Sequence, residues 1–130
     1  MAQLIKGIHH VNIRIPKPQL DKAIDFYTQA LGLEKYRFWK GRNGDNYMLK
    51  VGEDIIEIME SDTKGDKGVI EHFALSSDDV DNVIEKVIQA GLQVDRYPKD
   101  VVLDSDPPMP IRIAFFYGFG NEYIEVFKEY

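Results

Sequence analysis

Two stretches of the chain, about 60 residues apart, repeat the same pattern of residue types. The stretch "IHHVNIRI", followed by "LDKAIDFYTQALGL", aligns with "IEHFALSS", followed by "VDNVIEKVIQAGL". A histidine stands at the same place in both stretches, as His10 in the first and His72 in the second. Self-similarity at a fixed period indicates one structural unit that occurs twice, and this constrains the fold more than any single motif.

The predicted unit has the order β-α-β-β-β. Apolar residues at helical spacing predict one helix that ends near Gly32 and a second that ends near Gly91. Strands are predicted for "EKYRFWKGR", "NYMLKV" and "DIIEIME", and then for "QVDRY", "IRIAFFY" and "EYIEVFKEY", with "KDVVLDSDPPMP" as a proline-rich loop. We therefore expect an α+β protein with a single domain, 1–130, built from two βαβββ modules at about 6–61 and 69–130.

Composition narrows the class of protein. The chain has 130 residues, a net charge of −6 and no cysteine. Because no lysine/arginine stripe is present, a nucleic-acid partner is not expected. The lack of cysteine excludes a thiolate zinc site and a cysteine nucleophile. The start of the chain does not read as a signal peptide and no apolar run could span a bilayer, so the expected location is the cytoplasm.

Strand alternation separates the two adjacent histidines of "GIHHVNIRI". Successive side chains of a strand point to opposite faces. His9 shares its face with Val11 and other apolar residues, so its predicted role is structural. His10 shares its face with Asn12 and Arg14, a polar set that is unusual against a core and indicates a functional site.

Each module also carries a glutamate in the middle of an apolar last strand. Glu57 lies in "DIIEIME" and Glu125 lies in "EYIEVFKEY", and burial of either carboxylate is costly without a partner. Taken singly, the histidines could be core residues and the glutamates edge-strand charges. The matched positions favour one divalent metal, because two carboxylates cancel its charge and mixed nitrogen and oxygen donors suit Zn, Ni, Co, Mn or Fe(II).

The combined pattern "HHVNIRI…AIDFYTQALGL…IIEIME…EHFAL…EYIEVF" resembles the vicinal oxygen chelate (glyoxalase/bleomycin resistance/dioxygenase) superfamily, and glyoxalase I-like proteins most closely. The resemblance covers essentially the whole chain. It implies that the two βαβββ modules form a curved, cup-shaped sheet around a metal site. By position, the implied ligands of one divalent ion, with Zn or Ni first and Co, Mn or Fe also possible, are His10, Glu57, His72 and Glu125.

The resemblance also implies an activity, that of a metal-dependent lyase or isomerase of the lactoylglutathione lyase type. Such an enzyme abstracts a proton next to a metal-chelated carbonyl, with Glu125 and Glu57 as the catalytic groups. Arg14 matches an arginine that binds the glutamyl end of glutathione, and Asn12 is either a second substrate contact or part of a supporting polar network. The expected partners are a small-molecule substrate and a second copy of the chain, in a homodimer with metal sites at the subunit interface.

Several alternatives stay open. They are a methylmalonyl-CoA epimerase-like isomerase, a metal-free small-molecule or drug-binding protein of the same fold, and an extradiol-type dioxygenase. The epimerases usually have glutamine where this chain has Glu57, and extradiol dioxygenases use only two histidines and one glutamate. Ser61 stands where glyoxalase I commonly has an asparagine that holds glutathione, and "YGFGN" replaces the usual "DPDG" turn. The segment 104–110 is either a connection or a lid.

Overall fold

The computed structural model describes residues 3–30, 32–61, 69–118 and 122–130. In chain order its elements are β1 (Ile5–Ile15), α1 (Lys17–Asp25), a π-helical turn (Phe26–Ala30), β2 (Glu34–Lys40), β3 (Asp45–Val51), β4 (Asp54–Glu60), β5 (Ile70–Ser77), α2 (Val80–Gln89), β6 (Val94–Leu103), β7 (Met109–Tyr117) and β8 (Tyr123–Glu129). The predicted α+β class and the twofold βαβββ order are confirmed. The polar loop at 62–68 and the last three residues of the "YGFGN" turn, 119–121, lie outside the described residues.

The chain divides into two compact units. The first, called the His10 unit below, comprises His10–Glu71 and Asp104–Pro107. The second, the His72 unit, comprises Met1–His9, His72–Leu103 and Pro108–Tyr130. The module limits derived from the sequence, about 6–61 and 69–130, stay a prediction.

In the His10 unit the strand order is β2-β3-β4-β1, with β1 parallel to β4 and the other pairs antiparallel. Helix α1 follows the extended N-cap residue Pro16, and Pro18 lies in its first turn, where proline is tolerated because the N–H that it lacks would have no partner within the helix. Its apolar residues Leu20 and Ile24 pack with Leu49 and Ile58 into a buried cluster. The helix therefore covers the apolar face of β1 and β4, which leaves their polar side chains on the opposite face.

In the His72 unit the order is β5-β8-β7-β6, again with the first strand parallel to the last. Helix α2 is capped at its N-terminus by Asp79, whose side chain accepts a hydrogen bond of 3.1 Å from the backbone N–H of Asn82. The glycine after the helix, Gly91, has a φ of 78°, a left-handed conformation that a glycine adopts without strain. The core cluster of this unit consists of Val80, Val83, Ile84, Val87, Ala114, Phe116, Ile124 and Val126.

The first helix is less regular than its apolar pattern predicts. It is α-helical as far as Asp25 and then continues as the π-helical turn. Within this turn the Thr28 hydroxyl donates to the Ile24 carbonyl at 2.7 Å. None of the helices among the described residues is long and apolar enough to cross a membrane.

The predicted proline-rich loop is shorter than expected. Strand β6 runs through Pro98 and ends at Leu103, so the connection to β7 spans only 104–108. Proline lacks the N–H that a central strand needs, but β6 is the edge strand of its unit, where one neighbour is missing. The β6–β7 register also shifts between Arg96 and Lys99, which accommodates the proline.

Candidate functional site

The parallel pairing of β1 with β4 brings the first predicted histidine beside the first predicted glutamate. Asn12 lies directly opposite Glu57 in this register. His10 Nε2 is 3.6 Å from Glu57 Oε1, and Asn12 Nδ2 donates a hydrogen bond of 2.5 Å to the same oxygen. All three side chains are buried, so this is an internal polar group and not a solvated strand edge.

The His72 unit contains the equivalent pair. Ala74 lies opposite Glu125 in the parallel register of β5 and β8. His72 Nε2 is 3.1 Å from Glu125 Oε1, and both side chains are buried. In each unit the glutamate therefore faces the residue two positions after the histidine, which is Asn12 in one unit and Ala74 in the other.

The geometry of each pair suits a shared cation. Two donors bound to one ion at about 2.1 Å each lie roughly 3.0–3.6 Å apart for coordination angles of about 90° to 120°. The observed separations of 3.6 Å and 3.1 Å fall in this range. Within each unit the buried imidazole and the buried carboxylate offer one nitrogen and one oxygen donor, a combination that divalent transition metals bind.

Aromatic rings surround His72. The ring centroids of Phe115 and Tyr123 are 5.7 Å and 6.4 Å from that of His72, and both rings meet it edge-to-face. Phe115 and Tyr123 stack at 5.1 Å, and the Tyr123 hydroxyl donates to Asp95 Oδ2 at 2.6 Å. Tyr117 lies 5.0 Å from Tyr123. These contacts restrict the orientation of the imidazole.

Sequence reasoning did not single out Phe115 or Tyr117. The antiparallel register places Phe115 opposite Glu125 and Tyr117 opposite Tyr123. A periodicity within one strand reveals which residues share a face, but it does not reveal which residue of the neighbouring strand lies opposite. Strand alternation in "IRIAFFY" and "EYIEVF" identifies Phe115 and Tyr117 as site residues only when the β7–β8 register is also known.

Arg14 lies at the end of β1, in the His10 unit. Its backbone N–H donates to the Val69 carbonyl at 2.7 Å, and its guanidinium Nη2 is 3.5 Å from Glu71 Oε1. Arg14 also lines a cavity of about 410 Å³ that contains a second cation, Lys22. The complete lining is Arg14, Ile15, Pro16, Gln19, Lys22, Ala23, Phe26, Tyr27 and Val69. Of the two cations in this lining, Arg14 is also close to the carboxylate of Glu71, so Lys22 supplies the positive charge that suits a small anionic group.

His9 belongs to the His72 unit and is paired separately. Its Nε2 is 2.7 Å from Glu129 Oε2, and its ring lies 4.0 Å from the ring of Phe127. The neighbouring His10 instead belongs to the polar group of Glu57. The two adjacent histidines thus have different partners, as the strand alternation of "GIHHVNIRI" predicts.

Residues 7–105 match the model of a protein family, the glyoxalase/bleomycin resistance protein/dioxygenase superfamily. The chain belongs to this superfamily. The predicted resemblance is therefore confirmed at the level of the superfamily, whose members carry out different reactions. A comparison with curated proteins gives no sequence match.

Solved structures with a similar fold include several epimerases. The chain is similar to methylmalonyl-CoA epimerase from Mycobacterium tuberculosis, with a TM-score of 0.76, 20% identity and coverage of 98% of this chain and 91% of that one. The Streptomyces coelicolor methylmalonyl-CoA epimerase in complex with 2-nitronate-propionyl-CoA has a TM-score of 0.74 and 20% identity, with coverage of 95% of this chain and 97% of that one. A hypothetical protein of Bacillus halodurans C-125 has a TM-score of 0.75 and 17% identity, with coverage of 95% of this chain and 94% of that one. At these identities the likeness confirms the glyoxalase-like fold.

Proposed function

We propose that the chain is a metal-dependent lyase or isomerase of the glyoxalase I type, which transfers a proton next to a carbonyl of a small substrate. The observation that carries the proposal is the pair of buried histidine–glutamate contacts at equivalent positions of the two units. Burial of two carboxylates and two imidazoles is costly without a partner, and a shared cation would offset that cost.

The proposed ligands of one divalent ion are His10, Glu57, His72 and Glu125, with Zn or Ni as the favoured metals and Co, Mn or Fe as further candidates. When bound, the ion would supply Lewis acidity to two neighbouring substrate oxygens. The separations within the two pairs, 3.6 Å and 3.1 Å, support ligation by both members of each pair.

Glu125 is the proposed base that removes the substrate proton, and Glu57 is the proposed partner that returns it. Both carboxylates are buried, which keeps bulk water away from the proton in transit. His72, 3.1 Å from Glu125 Oε1 and fixed by the rings of Phe115 and Tyr123, holds the base in place. Proton transfer by such a positioned carboxylate contributes about 10²–10⁴ in rate.

Arg14 and Asn12 are the proposed substrate contacts. The cavity beside Arg14 supports binding of an anionic end of the substrate, since Lys22 adds a second positive charge there. Among the described residues, Asn12 Oδ1 is buried without a hydrogen-bond partner. This oxygen can accept a hydrogen bond from a hydroxyl or N–H group of the substrate.

An epimerase acting on an acyl-CoA is the second candidate, because several structures of similar fold are methylmalonyl-CoA epimerases. It would use the same proton transfer. A carboxylate at position 57 favours the glyoxalase I type, because glutamine is usual there in the epimerases that this chain resembles. The two proposals differ in substrate and not in the role of Glu125.

Turnover assays separate these candidates. The metal-loaded protein is assayed with methylglyoxal plus glutathione or another thiol, and in parallel with methylmalonyl-CoA. The proposal predicts turnover of the hemithioacetal and a loss of about 10²–10⁴ in kcat for Glu125→Gln. Epimerisation alone would favour the second candidate. Ring cleavage of a catechol with Fe(II), or metal-free binding of small molecules without turnover, would contradict both.

Two further expectations remain proposals, a homodimer with metal sites at the subunit interface and a cytoplasmic location. Sedimentation of the purified protein tests the first, with a mass of about twice the 15.0 kDa of one chain as the expected result. A species at the mass of one chain that binds metal and turns over substrate would contradict the interface site. Cell fractionation tests the location.

A further inference from the structure

The buried cluster of His10, Asn12 and Glu57 differs in one residue from the equivalent cluster around His72 and Glu125. In both units the glutamate faces the residue two positions after the histidine. That residue is Ala74 in the His72 unit, which has no side-chain donor. In the His10 unit it is Asn12, which donates to Glu57 Oε1 at 2.5 Å. The repeated architecture therefore does not require an amide at this place.

The contact is specific to one oxygen. Glu57 Oε1, the atom that Asn12 holds, is also the atom that lies 3.6 Å from His10 Nε2. A carboxylate oxygen has two lone pairs, so it can accept this hydrogen bond and still bind a cation. The Asn12 amide thus holds Oε1 at the separation from His10 Nε2 that two ligands of one ion require.

The buried environment of the Asn12 amide is energetically unfavourable. The Asn12 side chain is buried, and among the described residues its Oδ1 has no hydrogen-bond partner. A buried polar group of this kind lowers stability compared with an apolar residue of similar shape. The stability of the fold alone therefore does not explain the amide, whereas orientation of Glu57 does.

We propose that Asn12 is a positioning residue that orients Glu57 Oε1 for the metal, and that it acts through Glu57. This inference rests on the proposed function, because it assumes that Glu57 is a ligand. Hydrogen-bond partners of a ligating carboxylate typically change metal affinity by about 10- to 100-fold when they are removed. The same range is expected for Asn12→Ala, which copies the arrangement at Ala74.

The test measures cobalt(II) affinity by visible absorption and chelator competition, in wild type, Asn12→Ala, Glu57→Ala and the double variant. Asn12→Ala is expected to weaken cobalt binding about 10- to 100-fold. In the Glu57→Ala background the same substitution is expected to change affinity by no more than about twofold, since its effect passes through Glu57. Asn12→Leu, which keeps the volume, replaces Asn12→Ala if the latter does not fold.

Asn46 provides the matched control. It is another buried asparagine of the same unit, on β3, and it lies opposite Met59. Asn46→Ala is expected to lower the unfolding midpoint and to leave cobalt affinity within about twofold of wild type. Equal losses for the two variants, or an equal effect of Asn12→Ala with and without Glu57, would overturn the inference. A wild type that binds no cobalt would instead overturn the proposed function.

Discussion

Substitution of His72 should destabilise the metal-free protein more than substitution of His9, another histidine that is paired with a glutamate. Both histidines are paired with a glutamate of the same unit, at 3.1 Å for His72 and Glu125 and at 2.7 Å for His9 and Glu129. The pairs differ in burial, because the Glu125 side chain is 7% exposed and that of Glu129 is 33% exposed. His72→Ala therefore removes one partner of a carboxylate that water scarcely reaches.

The magnitude follows from this burial. Removal of one partner of a buried polar group costs about 1–3 kcal/mol and more when the remaining group is charged, so we expect about 3 kcal/mol for His72→Ala. For His9→Ala we expect about 1–2 kcal/mol, since water solvates Glu129 and the loss is mainly the contact with the Phe127 ring. At roughly 3–4 °C per kcal/mol for a chain of this length, His72→Ala should lower Tm by about 10 °C or more.

Urea and thermal unfolding of the chelator-treated proteins measure this difference. The same two variants are then titrated with cobalt(II), and only His72→Ala should weaken binding. A His9→Ala protein that is as destabilised as His72→Ala would show that burial of the paired glutamate does not determine the loss of stability. Weaker cobalt binding by His9→Ala alone would refute the assignment of His72 as a ligand.

Three further predictions concern other parts of the molecule. Arg14→Leu should raise KM for an anionic substrate and leave kcat within about twofold, because Arg14 lines the cavity and is not a member of either histidine–glutamate pair; a fall in kcat at unchanged KM would contradict this role. Ile58→Ala should cost about 2–5 kcal/mol in urea unfolding, since Ile58 is completely buried against α1, and a loss below about 1 kcal/mol would contradict this packing. The Arg112 guanidinium lowers the pKa of Asp81, and hydrogen bonds from Tyr130 and Arg112 lower the pKa of Asp100. A carboxyl with a lowered pKa stabilises the fold above its ordinary pKa and loses this effect as pH falls, so Arg112→Met should lower the urea midpoint more at pH 7 than at about pH 3.

The sequence predicted the architecture because the repeat and the strand alternation are local properties. The equivalence of His10 with His72 implied two equivalent modules, and both histidines do lie beside the glutamate of the last strand in their own unit. The faces of β1 and β8 followed from a period of two. These predictions required no knowledge of which strands are neighbours.

Other features depend on which strands pair and in which register, and they could not be predicted from the sequence. The contact of Asn12 with Glu57 follows from the β1–β4 register, and the position of Phe115 follows from the β7–β8 register. The predicted strand "QVDRY" continues through Pro98 into the first residues of the predicted loop, because an edge strand tolerates a missing N–H. Likewise, the apolar pattern of the first helix continues beyond Asp25 and does not distinguish an α-helix from the π-helical turn that follows it.

The two histidine–glutamate pairs are proposed to bind one divalent ion together. Elemental analysis and equilibrium dialysis measure how many ions the reconstituted protein holds and how tightly it binds them. Wild type and His9→Ala should each hold about one ion per chain, whereas His10→Ala, Glu57→Gln, His72→Ala and Glu125→Gln should each hold less or bind it more weakly. A wild type that binds no divalent ion after reconstitution, or four variants that bind it as tightly as wild type, would show that the two pairs do not form a metal site.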